Sequence, residues 1–150
     1  MRRYIEVPLQ LLDIEGDGFH IMVNGSIHDK EANFLIDTGA SRSVFDPKTI
    51  SSFIDNLKFE KKEGMTAGVG SSDLESATFR IEQLSIGSLE IRDYEAVALD
   101  LENIHEMYGK LNLPHIDGII GGDLLRLHKA VINYKAKKMR LWIIPPRLFW

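Results

Sequence analysis

Apolar and polar positions alternate along most of this chain, and only short stretches carry a helical period. Gly18-Phe19-His20-Ile21-Met22-Val23 alternates as a strand does. Asn24-Gly25, a favoured two-residue hairpin turn, predicts a reversal there into a second strand from Ser26. After a polar interruption around Asp29 to Glu31, that strand ends in the apolar run Phe34-Leu35-Ile36. Ser43-Val44-Phe45 is a further short strand, closed by Asp46-Pro47, and a helical turn is expected around Ser52 to Leu57. From Ala77 to Ile86 the apolar residues change parity between Ile81 and Leu84, which predicts a bulge or bend at Glu82-Gln83. Gly87-Ser88 turns the chain into a partner strand, Leu89 to Leu99. Leu101 to Met107 and Asp123 to His128 have helical spacing, with the strand Ile119-Ile120 between them. Ala130 to Tyr134 and Met139 to Ile143 pair across a lysine-rich turn. The sum is a single all-β domain over residues 1–150 with one or two short helices.

Composition narrows the function classes. A chain of 150 residues is long enough to bury roughly 70% of its unfolded surface in one core. Apolar residues make up 44% and charged residues 27%, an ordinary soluble balance. A net charge of −4 opposes nucleic-acid binding, and the basic cluster Lys135, Lys137, Lys138 and Arg140 reads as a solvated turn. The absence of cysteine removes disulfides, thiolate catalysis and cysteine-held zinc. The N-terminus starts basic, but Glu6 and Pro8 interrupt any apolar signal region. No apolar run approaches the ~18 residues of a membrane span, so the expectation is a cytoplasmic protein without membrane contact. The histidines are scattered without a His-x-x-x-His pair, so neither a metal nor another cofactor is expected.

The candidate chemistry sits at Asp37-Thr38-Gly39, directly after Phe34-Leu35-Ile36. A strand that ends in an acid and a glycine-permitted turn delivers one carboxylate into a tight loop. Taken alone, Asp37 also suits an ordinary capping or turn role. About eighty residues on comes Ile119-Ile120-Gly121-Gly122-Asp123-Leu124-Leu125, an apolar pair, glycine and the start of a helix. The glycine-rich stretch Met65 to Ser72 lies between.

These segments, in this order, resemble the retropepsin-like aspartic peptidases, in style the bacterial single-domain members, over about Phe19 to Ile143. The resemblance implies a closed acid-protease barrel and hydrolysis of polypeptide by a water held between two carboxylates. Only one Asp-Thr-Gly is present, so the second Asp37 would come from a partner in a homodimer. Asp37, Thr38 and Gly39 are then the catalytic turn, with the Gly39 amide donating to Asp37 and Thr38 bracing the loop against the partner. Gly39 is expected to be glycine because a Cβ would obstruct so tight a turn. Ala40 and Ile120, with Gly68, Val69 and Gly70 of a flap, are the expected substrate contacts. Asp123 reads as a helix N-cap. Asp117 is a rival second carboxylate, although Asp-Gly before an apolar pair is turn chemistry.

Two departures from the retroviral pattern stand out. Retroviral enzymes follow Asp-Thr-Gly-Ala with two acids that grip substrate main chain and an arginine, whereas Ser41 and Arg42 follow here. The retroviral chain also ends after its helix in one strand that builds the dimer sheet, whereas here a hairpin and an apolar tail, Leu148-Phe149-Trp150, follow. The tail suits a partner surface or its own subunit equally. Ser41-Arg42 keeps an alternative open: a catalytically silent module that binds extended peptides or mediates assembly.

Overall fold

The computed structural model describes residues 3–61 and 77–145. The predicted flap, with Gly68, Val69 and Gly70, and the tail from Pro146 lie outside the described residues. The first hairpin is β3 (Phe19–Ile27) and β4 (Lys30–Ile36), and it reverses at His28-Asp29. Both turn residues have positive φ, 48° and 64°, as a two-residue hairpin loop requires. Asn24-Gly25 is therefore not the turn. Gly25 lies mid-strand, where a Cβ would stand 1.9 Å from the Ser85 carbonyl oxygen. It is glycine because β7 (Ala77–Ile86) crosses there and pairs with β3 from Gly25↔Ile86 to Ile27↔Leu84.

That crossing closes a barrel. β3, β4, β9 (Gly118–Ile120), β5 (Val44–Phe45), β8 (Leu89–Ala98) and β7 follow in hydrogen-bonded order, and β7 returns to β3. β4–β9 and β5–β8 pair in parallel, and the other barrel pairs are antiparallel. β2 (Gln10–Asp13) extends the sheet beside β3, and β6 (Glu60–Lys61) extends it beside β7. A separate sheet has the order β1-β11-β10, built from β1 (Tyr4–Pro8), β10 (Val131–Asn133) and β11 (Lys138–Trp142). The fold is all-β and retropepsin-like.

The run Phe34-Leu35-Ile36 is apolar throughout because β4 is covered on both faces. Phe34 and Ile36 point into the main core with Val23, Phe45 and Ile120. Leu35 joins Met22 and Ile119 in a second cluster, roofed by Leu101 and Tyr108. α2 (Glu102–Lys110) forms that roof and is tied to β3 by the His20 Nδ1–Tyr108 hydroxyl contact of 2.6 Å. Burial pushes the Tyr108 phenol up to about 12.

Two further expectations are corrected. No bulge interrupts β7 at Glu82-Gln83, since its register with β8 is the same on either side, Ile81↔Tyr94 and Gln83↔Arg92. The parity change arises because the second half of β7 passes under β3, so Gln83, Leu84, Ser85 and Ile86 are all buried. The local distortion falls on the partner strand, at Asp93 with φ 52°. The helical turn comes earlier than predicted, as α1 (Pro47–Ile50), with Asp46 as N-cap accepting from the Lys48 amide at 2.8 Å. Proline at the first helical position and aspartate before it are the start signal that places it there.

Candidate active site

β4 delivers Asp37 to the rim of the barrel, where Asp37, Thr38 and Gly39 are all exposed. The Asp37 amide donates to the Ile120 carbonyl at 2.9 Å, which continues the β4–β9 pairing by one bond. The chain then turns tightly, with the Ala40 amide donating to the Asp37 carbonyl at 3.1 Å. As expected, the Gly39 amide donates to Asp37 Oδ1, at 3.0 Å. The steric argument for Gly39 is corrected, however. A Cβ there would meet only Asp37 Oδ1, at 3.4 Å, an ordinary contact. Within one subunit the turn leaves room for a side chain.

The Ile119–Asp123 element supports this turn from beneath. The Gly122 amide donates to the Ala40 carbonyl at 2.7 Å, and the Asp123 amide donates to the Ser41 carbonyl at 3.1 Å. A Cβ on Gly121 would stand 2.7 Å from the Ala40 carbonyl oxygen, so glycine is what permits the approach. Ile120 is fully buried in the main core. Its expected role as a substrate contact is therefore corrected to support under Asp37. Ala40 is half-buried on the turn itself.

Asp123 is not the N-cap of α3 (Gly122–Leu127); Gly121 holds that position without a side-chain cap. The Asp123 carboxylate points the other way and gathers the chain after the turn. Its Oδ1 accepts from the Ser43 amide at 2.8 Å and the Ser43 hydroxyl at 2.7 Å. Its Oδ2 accepts from the Tyr94 hydroxyl and lies 3.4 Å from Arg42 Nε. The Ser43 hydroxyl also accepts from the Gly121 amide at 2.9 Å, so one buried serine joins both sides. Burial holds the Tyr94 phenol well above the usual tyrosine range, and the Asp123 carboxylate adds to it. Where the resemblance puts an acid the turn supplies Arg42, and the carboxylate it meets, Asp123, comes from α3. Sequence reasoning missed this cluster because Ser43 and Tyr94 belong to no motif. The available signal was the charge at Arg42, where the resemblance puts an acid.

Asp117 is excluded as a second carboxylate for Asp37 within the subunit. Its Oδ2 accepts from the Asn33 amide at 2.8 Å. Asn33 lies four residues before Asp37 on β4, a separation of about 13 Å at the usual strand rise. Its other oxygen lies 3.2 Å from His115 Nδ1, and the His115 ring stacks on His105 at 4.4 Å.

Beside Asp37 opens a groove of about 430 Å³. Asp37 and Thr38 line it together with Phe19, Ile104, Ile132 and Tyr134. It joins β3, the turn, α2 and the β10 hairpin at one rim, and its outer residues Phe19 and Tyr134 are exposed.

A closed six-stranded barrel presenting one Asp-Thr-Gly turn above an apolar-glycine element defines a retropepsin-like fold. Residues 22–124, more than half of the chain, match the family model described as aspartyl protease, and the chain belongs to that family. Among solved structures it is similar to a retropepsin-like aspartic protease from Rickettsia conorii, at 18% identity and a TM-score of 0.54. That match covers 95% of this chain and 97% of the other. It is also similar to the retroviral protease-like domain of Ddi1 from Leishmania major, at 17% identity and a TM-score of 0.54, covering 87% and 98%. No curated protein matches it in sequence. Among the described residues, no helix is long and apolar enough to cross a membrane.

Proposed function

We propose that this chain is half of a homodimeric aspartic endopeptidase that hydrolyses extended polypeptide with a water held between two Asp37 carboxylates. The observation that carries this reading is the exposed Asp37 on a braced turn, while Asp117 and Asp123 are engaged elsewhere. Two carboxylates about 3 Å apart cannot both ionise cheaply, so the pair keeps one proton. The ionised Asp37 takes a proton from the water as its oxygen attacks the scissile carbonyl carbon. The protonated partner Asp37 hydrogen-bonds the carbonyl oxygen as it gains charge. When the C–N bond breaks, a proton passes to the leaving amine and the pair again holds one. Thr38 and Gly39 hold the turn in this reading, and Ala40 lies where substrate main chain would run.

The test is Asp37→Asn with a peptide-library assay across a dilution series. Wild-type hydrolysis should fall more steeply than enzyme concentration and stop with a statine-type transition-state mimic, and the variant should fold and be inactive. Retained hydrolysis in Asp37→Asn would sink the reading. Arg42, engaged with Asp123 and the Glu95 carbonyl rather than supplying an acid, favours one alternative. In that reading the fold serves as a silent module that binds extended peptide by β-augmentation. There, peptide binds with no turnover and Asp37→Asn leaves its affinity unchanged.

A further inference from the structure

We infer that Arg42 is a specificity-determining residue, whose guanidinium faces a pocket beside the Asp37 turn and takes a glutamate or aspartate side chain of the peptide. This inference rests on the peptidase reading above and adds the class of peptide that the site selects.

The pocket has a volume of about 380 Å³ and is lined by Arg42, Tyr94, Glu95, Asp123, Leu124 and Leu127. It adjoins the turn directly, because the Gly122 and Asp123 amides donate to the Ala40 and Ser41 carbonyls. Arg42 follows Ala40 by two residues, which is at most about 7 Å of chain. An extended peptide advances about 3.4 Å per residue. One that crosses the turn at Ala40 therefore brings a side chain over the pocket within two or three residues.

The polar groups of this pocket are satisfied, with one exception. A carboxylate offers about four lone-pair sites. Asp123 fills three of them from the Ser43 amide, the Ser43 hydroxyl and the Tyr94 hydroxyl. Arg42 Nε stands by the fourth, 3.4 Å from Oδ2. Glu95 is partnered as well. Arg42 is the exception. It makes one hydrogen bond among the described residues, from Nη2 to the Glu95 carbonyl at 3.1 Å, and its Nε is buried without one. The Asp123 charge and the Glu95 carbonyl hold the guanidinium in place, while the side chain stays 42% exposed. A positioned fork of N–H donors with hydrogen bonds still to make matches a carboxylate, which it can grip bidentately. Leu124 and Leu127 wall the pocket with apolar surface, and exclusion of water there strengthens a charge pair. A lysine or arginine side chain would meet like charge at Arg42 and find Asp123 already filled. In a homodimer the twofold axis repeats the pocket, so the preference should appear once on each side of the scissile bond, at matching distances.

The test is cleavage of a peptide library in which one position at a time is fixed as Glu, Gln or Lys, with cut sites read by mass spectrometry. Wild type should favour Glu over Lys by about tenfold, the weight of one charge-assisted contact, at one position on each side of the cut. Arg42→Glu should reverse the preference at those positions alone. Arg42→Gln puts no second acid beside Asp123, so it gives the result if Arg42→Glu fails to fold, and it should bring the ratio near one. Cleavage with the same Glu-to-Lys ratio at every position in wild type and Arg42→Gln overturns the pocket while the peptidase stands. The same library, fluorescently labelled, is titrated onto Asp37→Asn with and without Arg42→Gln. Binding that favours Glu only when Arg42 is present, without hydrolysis by wild type, overturns the peptidase and keeps the role of Arg42. Neither hydrolysis nor a preference in binding overturns both.

Discussion

Replacing Ser43 with alanine tests whether the Asp37 turn is held from beneath by the Asp123 cluster. The Ser43 hydroxyl is fully buried, donates to Asp123 Oδ1 at 2.7 Å and accepts from the Gly121 amide at 2.9 Å. Alanine removes a bond to a charged acceptor and leaves a backbone N–H without its partner. Each loss is worth about 1–3 kcal/mol, and local relaxation recovers part of the sum, so the cost should be about 3 kcal/mol. That is a large share of the roughly 5–15 kcal/mol by which domains are stable. At about 2–4 °C per kcal/mol for a chain of this size, the melting temperature should fall by about 6–12 °C. Urea unfolding followed by circular dichroism should show a lower midpoint and an unchanged slope. The control is Ser51→Ala, whose hydroxyl makes an equally short 2.7 Å bond to the Lys48 carbonyl but in an exposed position. That change should stay within about 0.5 kcal/mol. If Ser43→Ala costs no more than Ser51→Ala, the cluster does not brace the turn and the reasoning fails.

Gly25→Ala should prevent folding or destabilise the barrel by more than about 4 kcal/mol, because the new Cβ would overlap the Ser85 carbonyl oxygen at the closure of β3 on β7; soluble yield and melting temperature measure it. Stability should fall in alkali. Burial raises the phenols of Tyr94 and Tyr108, with the Asp123 carboxylate adding at Tyr94, so the unfolded chain releases these protons first, from about pH 10. The unfolded state then holds fewer protons than the native state, and stability drops as pH rises, through about 12 for Tyr108. Urea midpoints across that range should show a shallower fall in Tyr94→Phe than in the wild type.

What was legible in the sequence was what a local pattern can carry. Phe34-Leu35-Ile36-Asp37 gave the strand and its exposed terminal acid because apolar residues on a strand covered on both faces leave a continuous run. Ile119-Ile120-Gly121 was legible for the same reason, with glycine marking the close approach to Ala40. What failed was non-local. Asn24-Gly25 satisfies the turn rule as well as His28-Asp29 does, and only the crossing of β7 decides between them. The parity change in β7 has the same origin: a second cover over half the strand, which one strand's sequence cannot report. Asp123 has the look of a cap because caps are the commonest use of aspartate near a helix start. Its true partners, Ser43 and Tyr94, lie eighty and twenty-nine residues away.

The two halves of the site are therefore held in different ways. The position of the Asp37 turn is fixed inside one subunit, through Gly122, Asp123 and Ser43, and does not wait for a partner. In the homodimer reading proposed above, its chemical pairing is what the subunit lacks, and association is then the step that creates activity, with little loop ordering left to oppose it because the turn is already braced. The unoccupied space around Gly39 fits this arrangement. Since its own subunit tolerates a Cβ there, the homodimer reading expects any steric need for glycine to arise on the other side of the turn, from the partner's loop or the peptide.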